Sequence, residues 1–242
     1  MRFIDAHVHL HEFPREEVEE FAQMGICMVA VSDDYESSLK TLELRDSFPE
    51  SVRACVGIHP WSIPKSGLPS SELERVLDLV READCVGEVG VDLRFVPETF
   101  ELQREVFRAL AAEAVKAGKP LNVHAAGAWR EALGILEEVG AASVLIHWYT
   151  GPPDLLGRLM AKGYFVSLNP ALRVQRKHRE LAATVSLSAV LTESDGPYEY
   201  RGLRLSPRLI PELVAELAAL RGVEPESLSV ILQENYKRLF PP

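Results

Sequence analysis

The chain has 242 residues, 47% of them hydrophobic and 26% charged, with a formal net charge of −10 at pH 7. That balance is ordinary for a globular protein, and it excludes a disordered chain and a protein whose whole surface grips nucleic acid, while leaving room for a local positive mouth. No apolar stretch approaches the roughly 18 residues that a membrane span requires, and the N-terminal run, flanked by Arg2 and Asp5, is too short for a signal peptide.

The first predicted element is the strand RFIDAHV at 2–8. Successive strand side chains point to opposite faces, so Asp5, His7 and His9 point the same way at its end. The acidic run EFPREEVEE that follows reads as the outer face of the first helix. Seven more strands are predicted: ICMVAVS (26–32), RACVGIH (53–59), CVGEVGV (85–91), PLNVHA (120–125), SVLIHW (143–148), YFVSLN (164–169) and AVLTES (189–194). Amphipathic helical stretches lie between them, including SSELERVLDLVREA at 70–83 and a longer one over 97–118 that stops at Gly118, Lys119 and Pro120. Cys27, Cys55 and Cys85 sit singly inside apolar runs with no CxxC spacing. They read as small buried core residues of a protein in the reducing cytoplasm. Asn and Gln together number seven, the sparing use of thermolabile amides that accompanies a thermophilic source.

The last polar residues of the strands are His9, Asp33, His59, Glu88, His124, His147, Asn169 and Asp195. They recur about every 27 residues, the length of one strand–helix unit. No linker interrupts the series, so residues 1–242 read as one domain, a (β/α)8 TIM barrel with its active site at the C-terminal ends of the strands. An open doubly wound sheet would carry a phosphate-binding loop, and GEVGVD at 87–92 is not G-x-G-x-x-G.

Five of the seven histidines, His7, His9, His59, His124 and His147, fall at or beside a strand's C-terminal end, as do Glu88 and Asp195. A lone histidine of this kind is more often a satisfied core residue. Five imidazoles and two carboxylates on one rim are another matter, because close carboxylates repel without a cation. The pattern predicts a metal site.

In this order the motifs resemble the TatD-type metal-dependent deoxyribonucleases of the amidohydrolase-like barrels. The resemblance runs through DAHVHL at 5–10, VGIHPW at 56–61 and GEVGVD with Gln103 and Phe107 on the next helix. It continues through NVHAAG, LIHWYTG, ESDGPY and the closing ENYKRLF. It implies two divalent metal ions, with His7, His9 and Asp195 on the first, His124 and His147 on the second, and Glu88 bridging. Imidazoles and carboxylates suit Zn2+, Mn2+ or Mg2+. Asp195 and Glu88 would be the catalytic carboxylates, Asp195 taking the proton from the attacking water. His59, beyond the six ligands, is assigned to substrate phosphate or the leaving group. Glu193 reads as orienting a ligand, and Asp92 stays open between substrate contact and structure.

The chain departs from the pattern at two places. His11 stands where the family has an acidic residue, and reads as a solvated loop side chain in preference to an extra ligand. Ala125-Ala126 stand where the family tends to have Ser-Arg, so an expected phosphate partner is missing. The basic stretches RVQRKHR (173–179) and RGLRLSPR (201–208) read either as solvated faces or as its replacement, and Trp61, Trp129 and Trp148 either stack on bases or anchor loops. The reading is a cytoplasmic metal-dependent hydrolase acting on single-stranded DNA, with no membrane and no obligate protein partner. The alternatives are an amidohydrolase-type enzyme for a small amide, ester or lactone, and a non-catalytic metal-binding barrel.

Overall fold

The computed structural model describes residues 2–240. Eight strands, β1 (Phe3–Val8), β2 (Ile26–Ala30), β3 (Val52–Val56), β4 (Cys85–Gly90), β5 (Leu121–His124), β6 (Val144–Ile146), β7 (Phe165–Leu168) and β8 (Val190–Thr192), lie side by side in chain order, each parallel to the next. Helices α1 (Arg15–Gln23), α2 (Tyr35–Ser47), α3 (Ser70–Leu79), α4 (Phe100–Ala117), α5 (Trp129–Glu138), α6 (Pro153–Ala161) and α7 (Arg176–Thr184) fill the connections, and α8 (Ile210–Arg221) and α9 (Pro225–Leu239) end the chain. This is the TIM barrel that the 27-residue recurrence predicts.

The strands read as unbroken apolar runs because both of their faces are covered. In β2, Ile26, Met28 and Ala30 pack with Val18 and Phe21 of α1, while Val29 packs with Cys55 and Cys85 on the other side. Local chemistry sets the helix limits. Asp34 caps α2 by accepting from the Ser37 N–H, and the Ser37 hydroxyl oxygen accepts from the Asp34 N–H, a reciprocal cap worth about 1 kcal/mol. At the other end of a helix, α4 stops as predicted at Gly118, whose φ of 68° suits a residue without a Cβ.

The seam between β8 and β1 brings the two ends of the motif series together. The Thr192 hydroxyl donates to the Ile4 carbonyl at 2.5 Å, the Ser194 N–H to Asp5 Oδ1 at 2.8 Å, and the Asp195 N–H to the His7 carbonyl at 3.0 Å. Asp5 therefore serves the seam rather than the rim. Burial, only partly offset by its bonds to Ser194 and His7, pushes its carboxyl up to about 7. α9 lies along the same seam, its Asn235 amide donating to the Leu187 and Val190 carbonyls and its Ser229 hydroxyl to the Arg2 carbonyl.

Two features differ from the sequence reading. The stretch after β8 folds into a small hairpin, β9 (Glu199–Tyr200) and β10 (Leu203–Arg204), instead of a plain loop. Cys55 and Cys85 are not single thiols: they are joined by a disulfide, and Cys27 alone is free and buried. The two are direct register partners on adjacent parallel strands, with Cα atoms 4.3 Å apart. A separation of 30 residues hides that pairing in the sequence. Among the described residues, no helix is long and apolar enough to cross a membrane.

Candidate metal centre

The strand ends place seven polar side chains in one buried cluster. His7 and His9 come from β1 and its end, His59 follows β3, Glu88 lies in β4, His124 closes β5, His147 follows β6 and Asp195 follows β8. Close approach of the strands requires glycine most sharply at position 90: a Cβ on Gly90, whose φ is +148°, would sit 1.9 Å from the His124 carbonyl oxygen. Trp148 and Asp195 adopt positive φ, 41° and 56°, a conformation that costs a non-glycine residue about 1–3 kcal/mol unless its surroundings impose it. Here the surroundings do. The Trp148 N–H donates to Glu193 Oε1 and the Asp195 N–H to the His7 carbonyl, and both residues thereby turn their neighbours into the mouth.

Glu88 stands at the centre with its two oxygens turned to different histidine pairs. Oε2 lies 3.2 Å from His7 Nε2 and 3.3 Å from His9 Nε2. Oε1 lies 2.8 Å from His124 Nδ1 and 2.9 Å from His147 Nε2. Asp195 Oδ1 joins the first pair, 3.4 Å from His7 Nε2 and 3.6 Å from His9 Nε2. His59 Nε2 sits on the other side, 3.3 Å from Glu88 Oε1. His7, His9 and Asp195 form one group of donor atoms within 4.8 Å of one another, and His59, Glu88 and His124 form another.

The far nitrogens of His7 and His124 bond to oxygens that fix their tautomers, whereas those of His9 and His147 lie near carboxylates without a hydrogen bond. Asn122 Nδ2 donates to the Ala6 carbonyl, so its Oδ1 is free to accept from His7 Nδ1 at 2.8 Å, leaving Nε2 as the lone-pair nitrogen. That Nε2 is buried, has no hydrogen-bond partner and points between Glu88 and Asp195, the position of a ligand atom. Asp92 accepts from His124 Nε2 at 3.0 Å, Asp33 Oδ1 lies 3.2 Å from His9 Nδ1, and Glu193 Oε2 lies 3.8 Å from His147 Nδ1. Such outer oxygens orient metal-binding imidazoles and raise their basicity. His59 differs. The Trp61 N–H donates to its Nδ1 at 3.2 Å, so the neutral ring carries its proton on Nε2, facing the cluster as a donor.

Electrostatics divide the site in the same way. Burial alone would raise Glu88, yet the surrounding imidazoles, His59 and His147 foremost, hold its carboxyl well below the usual range. Asp195 is likewise lowered against its burial by His7 and His9. Burial opposes charge on His7 and His9, but Glu88 and Asp195 raise both, joined at His9 by Asp33, well above the ordinary imidazole value. His124 rises to about 9 against burial through Asp92 and Glu88. His147 falls to about 4 through burial and the charge on His7, whose ring stacks on it at 3.9 Å.

Several expectations are refined. Asp92, open in the sequence, orients His124: its Oδ2 also accepts from Trp61 Nε1 at 2.6 Å and its Oδ1 from the backbone of Arg94 and Phe95. His11 is not a solvated loop residue, since Asp33 Oδ2 binds its Nε2 at 3.1 Å and only 8% of its side chain is exposed. Glu193 does hold the His147 segment, accepting from Trp148, Ser167 and Asn169, and burial pushes it up to about 8. Of the basic stretches, Arg173 pairs with Glu212 and Glu216, and Arg208 with Glu17 and Glu20, so neither faces the mouth. The sequence reading missed Asn122, Asp33 and Arg94. The cluster opens into a cavity of about 410 Å3 lined also by Trp61, Phe95 and Tyr198, all partly exposed.

A TIM barrel that gathers two pairs of imidazoles around one carboxylate at its C-terminal rim has the architecture of the metal-dependent barrel hydrolases. The chain belongs to the TatD related DNases, a family that it matches over residues 4–241. It is 28% identical to the human protein named deoxyribonuclease TATDN3, over 98% of this chain and 94% of that one. It is 24% identical to an uncharacterized metal-dependent hydrolase of Methanocaldococcus jannaschii, over 99% of this chain and 97% of the relative. Among solved structures, the TatD homologue YJJV of Escherichia coli superposes with a TM-score of 0.88 at 22% identity, covering 100% of this chain and 98% of its own. That likeness supports the barrel.

Proposed function

We propose that this protein is a two-metal phosphodiesterase that cleaves single-stranded DNA in the cytoplasm. His7, His9 and Asp195 would hold one divalent ion, His124 and His147 the other, with Glu88 shared. The observation that carries the reading is the division of the Glu88 oxygens, one to each histidine pair. The donor set is all nitrogen and oxygen, which suits Zn2+, Mn2+ or Mg2+. A pair of such ions supplies an activated water and neutralises the charge that builds on a phosphodiester during attack.

The chain's own groups do the rest. Asp195, whose carboxylate lies against His7 and His9, accepts the proton of the attacking water. His59 donates from Nε2 to a phosphate oxygen or to the departing oxygen, the role its tautomer supports. Asp92, Asp33 and Asn122 hold the ligand rings in place. Trp61, Phe95 and Tyr198 are 44%, 53% and 40% exposed at the mouth and offer ring faces for bases to stack on, Trp61 being held there by its bond to Asp92. The cytoplasmic location does not rest on cysteine usage, because Cys55 and Cys85 are paired. It is compatible with a thermophilic cytosol, where intracellular disulfides persist.

The relative named deoxyribonuclease TATDN3 favours DNA as the substrate. The second reading, a hydrolase of a small amide, ester or lactone, draws on the size of the 410 Å3 cavity and on Ala125 and Ala126 in its lining. Metal analysis after loading with Mn2+, combined with a panel of oligonucleotides and lactones, decides between them. Two equivalents of metal in the parent, fewer in Glu88→Gln, and turnover of oligonucleotides alone are the expected results. One equivalent in both proteins would end the two-metal reading, and turnover of lactones alone would end the DNA reading.

A further inference from the structure

A second cavity of about 400 Å3 opens beside the metal centre and is continuous with it: Arg94, Gly127, Trp129, Thr150, Gln175 and Tyr200 line both. Its remaining lining is Arg176, Lys177 and Arg201. Four cations and no carboxylate surround this space in a chain of net charge −10. Chance placement on an acidic surface would mix the signs.

The cations differ in what already occupies them. Arg176 is paired with Glu180 at 2.7 Å. Arg94 and Lys177 are exposed and make no ion pair among the described residues, and Arg201 holds only the Val174 carbonyl, at 3.2 Å, with its guanidinium 5.2 Å from the centre of the Tyr200 ring. Arg94 also occupies a telling place. The Leu93 N–H donates to the Ala126 carbonyl, and a Cβ on Gly127 would meet the Arg94 Cβ at 3.5 Å. The β4 loop thus sets an arginine against the Ala125-Ala126-Gly127 segment, where the β5 loop has no positive charge of its own.

Resting on the phosphodiesterase reading, we infer that this second cavity is a backbone track: Arg94, Lys177 and Arg201 bind phosphates of a polynucleotide strand next to the one at the metal centre. The substrate is then a strand several nucleotides long rather than a dinucleotide or a small ester. Trp129 and Tyr200, in the same lining, offer ring faces to the bases between those phosphates.

The test measures binding of a fluorescein-labelled dT12 to the full chain loaded with Mn2+, in the Asp195→Asn background that keeps the strand intact. Lys177→Ala and Arg201→Ala are added singly and together, and Lys177→Arg serves as the charge-retaining control. Each lost cation is expected to weaken binding about 3–10-fold and to flatten the slope of log affinity against log salt by about 0.7, with Lys177→Arg holding the slope. Unchanged affinity and slope in the double variant, or no binding of dT12 by the parent, would overturn the track. Binding that depends on these cations, in a parent enzyme that never cleaves dT12, would uphold the track and overturn the catalytic reading instead.

Discussion

Asp195 is the residue on which chemistry and architecture meet, because the seam that closes the barrel also delivers its carboxylate to His7 and His9. Asp195→Asn keeps the shape and removes the base, so turnover of an oligonucleotide should fall by about 10²–10⁴ with little change in circular dichroism or Tm. A large drop in Tm with turnover intact would make it a structural residue. Asp92 acts one step out, through His124. Asp92→Asn should weaken metal binding by about 10–100-fold in a chelator competition, and unchanged affinity would remove the orienting role. The proposed ligands were legible in the sequence because they recur at strand ends, one unit apart. Their orienting partners were legible only in part: Glu193 and Asp92 were marked, Asn122 was not. Asn122 reaches His7 across 115 positions of sequence, and Asp33 and Arg94 find their places only when neighbouring loops meet. Those contacts are products of barrel closure, and no local pattern announces them.

All eight strands were found, with starts within a residue of the observed ones and ends overrun by up to three, because apolar runs buried on both faces leave a plain signature. The hairpin after β8 was missed since its two strands are only two residues each, too short to show alternation. The Cys55–Cys85 disulfide was missed for a different reason: register across β3 and β4 decides it, and register is invisible in one strand alone. It closes a loop of about 30 residues, so its loss should remove about 3–4 kcal/mol by loss of the chain-entropy constraint. A Cys55→Ala, Cys85→Ala variant should therefore melt roughly 10 °C lower than the parent in the absence of reductant. Equal melting temperatures would mean that the cross-link adds nothing to packing that is already complete.

Taken whole, the molecule is acidic, yet the cavity beside the histidine cluster is lined by four cationic side chains and no carboxylate. The sequence offered two basic stretches as candidates, and folding sorted them: Arg173 and Arg208 went to outer ion pairs, while Lys177 and Arg201 reached the cavity. Its metal-free form carries a defined pH signature. His124 has a folded value of about 9 against 6.5, and Glu193 about 8 against 4.5, so in both the folded state holds its proton more tightly than the unfolded state does. Their contribution to stability is complete below the unfolded values and is lost as pH rises through 8 and 9. Melting of the protein in EDTA should therefore fall from pH 7 to pH 9.5, and metal should restore it most at the alkaline end, where fewer protons must be displaced. A flat profile in EDTA would show that these groups do not titrate with folding. The central claim, hydrolysis of DNA by a metal pair shared through Glu88, is tested most directly by cleavage of a 5′-labelled single-stranded oligomer. The metal-stripped protein is resupplied in turn with Mg2+, Mn2+ and Zn2+, and Asp195→Asn runs alongside. Metal-dependent laddering in the parent and none in the variant is the predicted result, whereas folded, metal-loaded protein that leaves the oligomer intact with every ion would contradict the account.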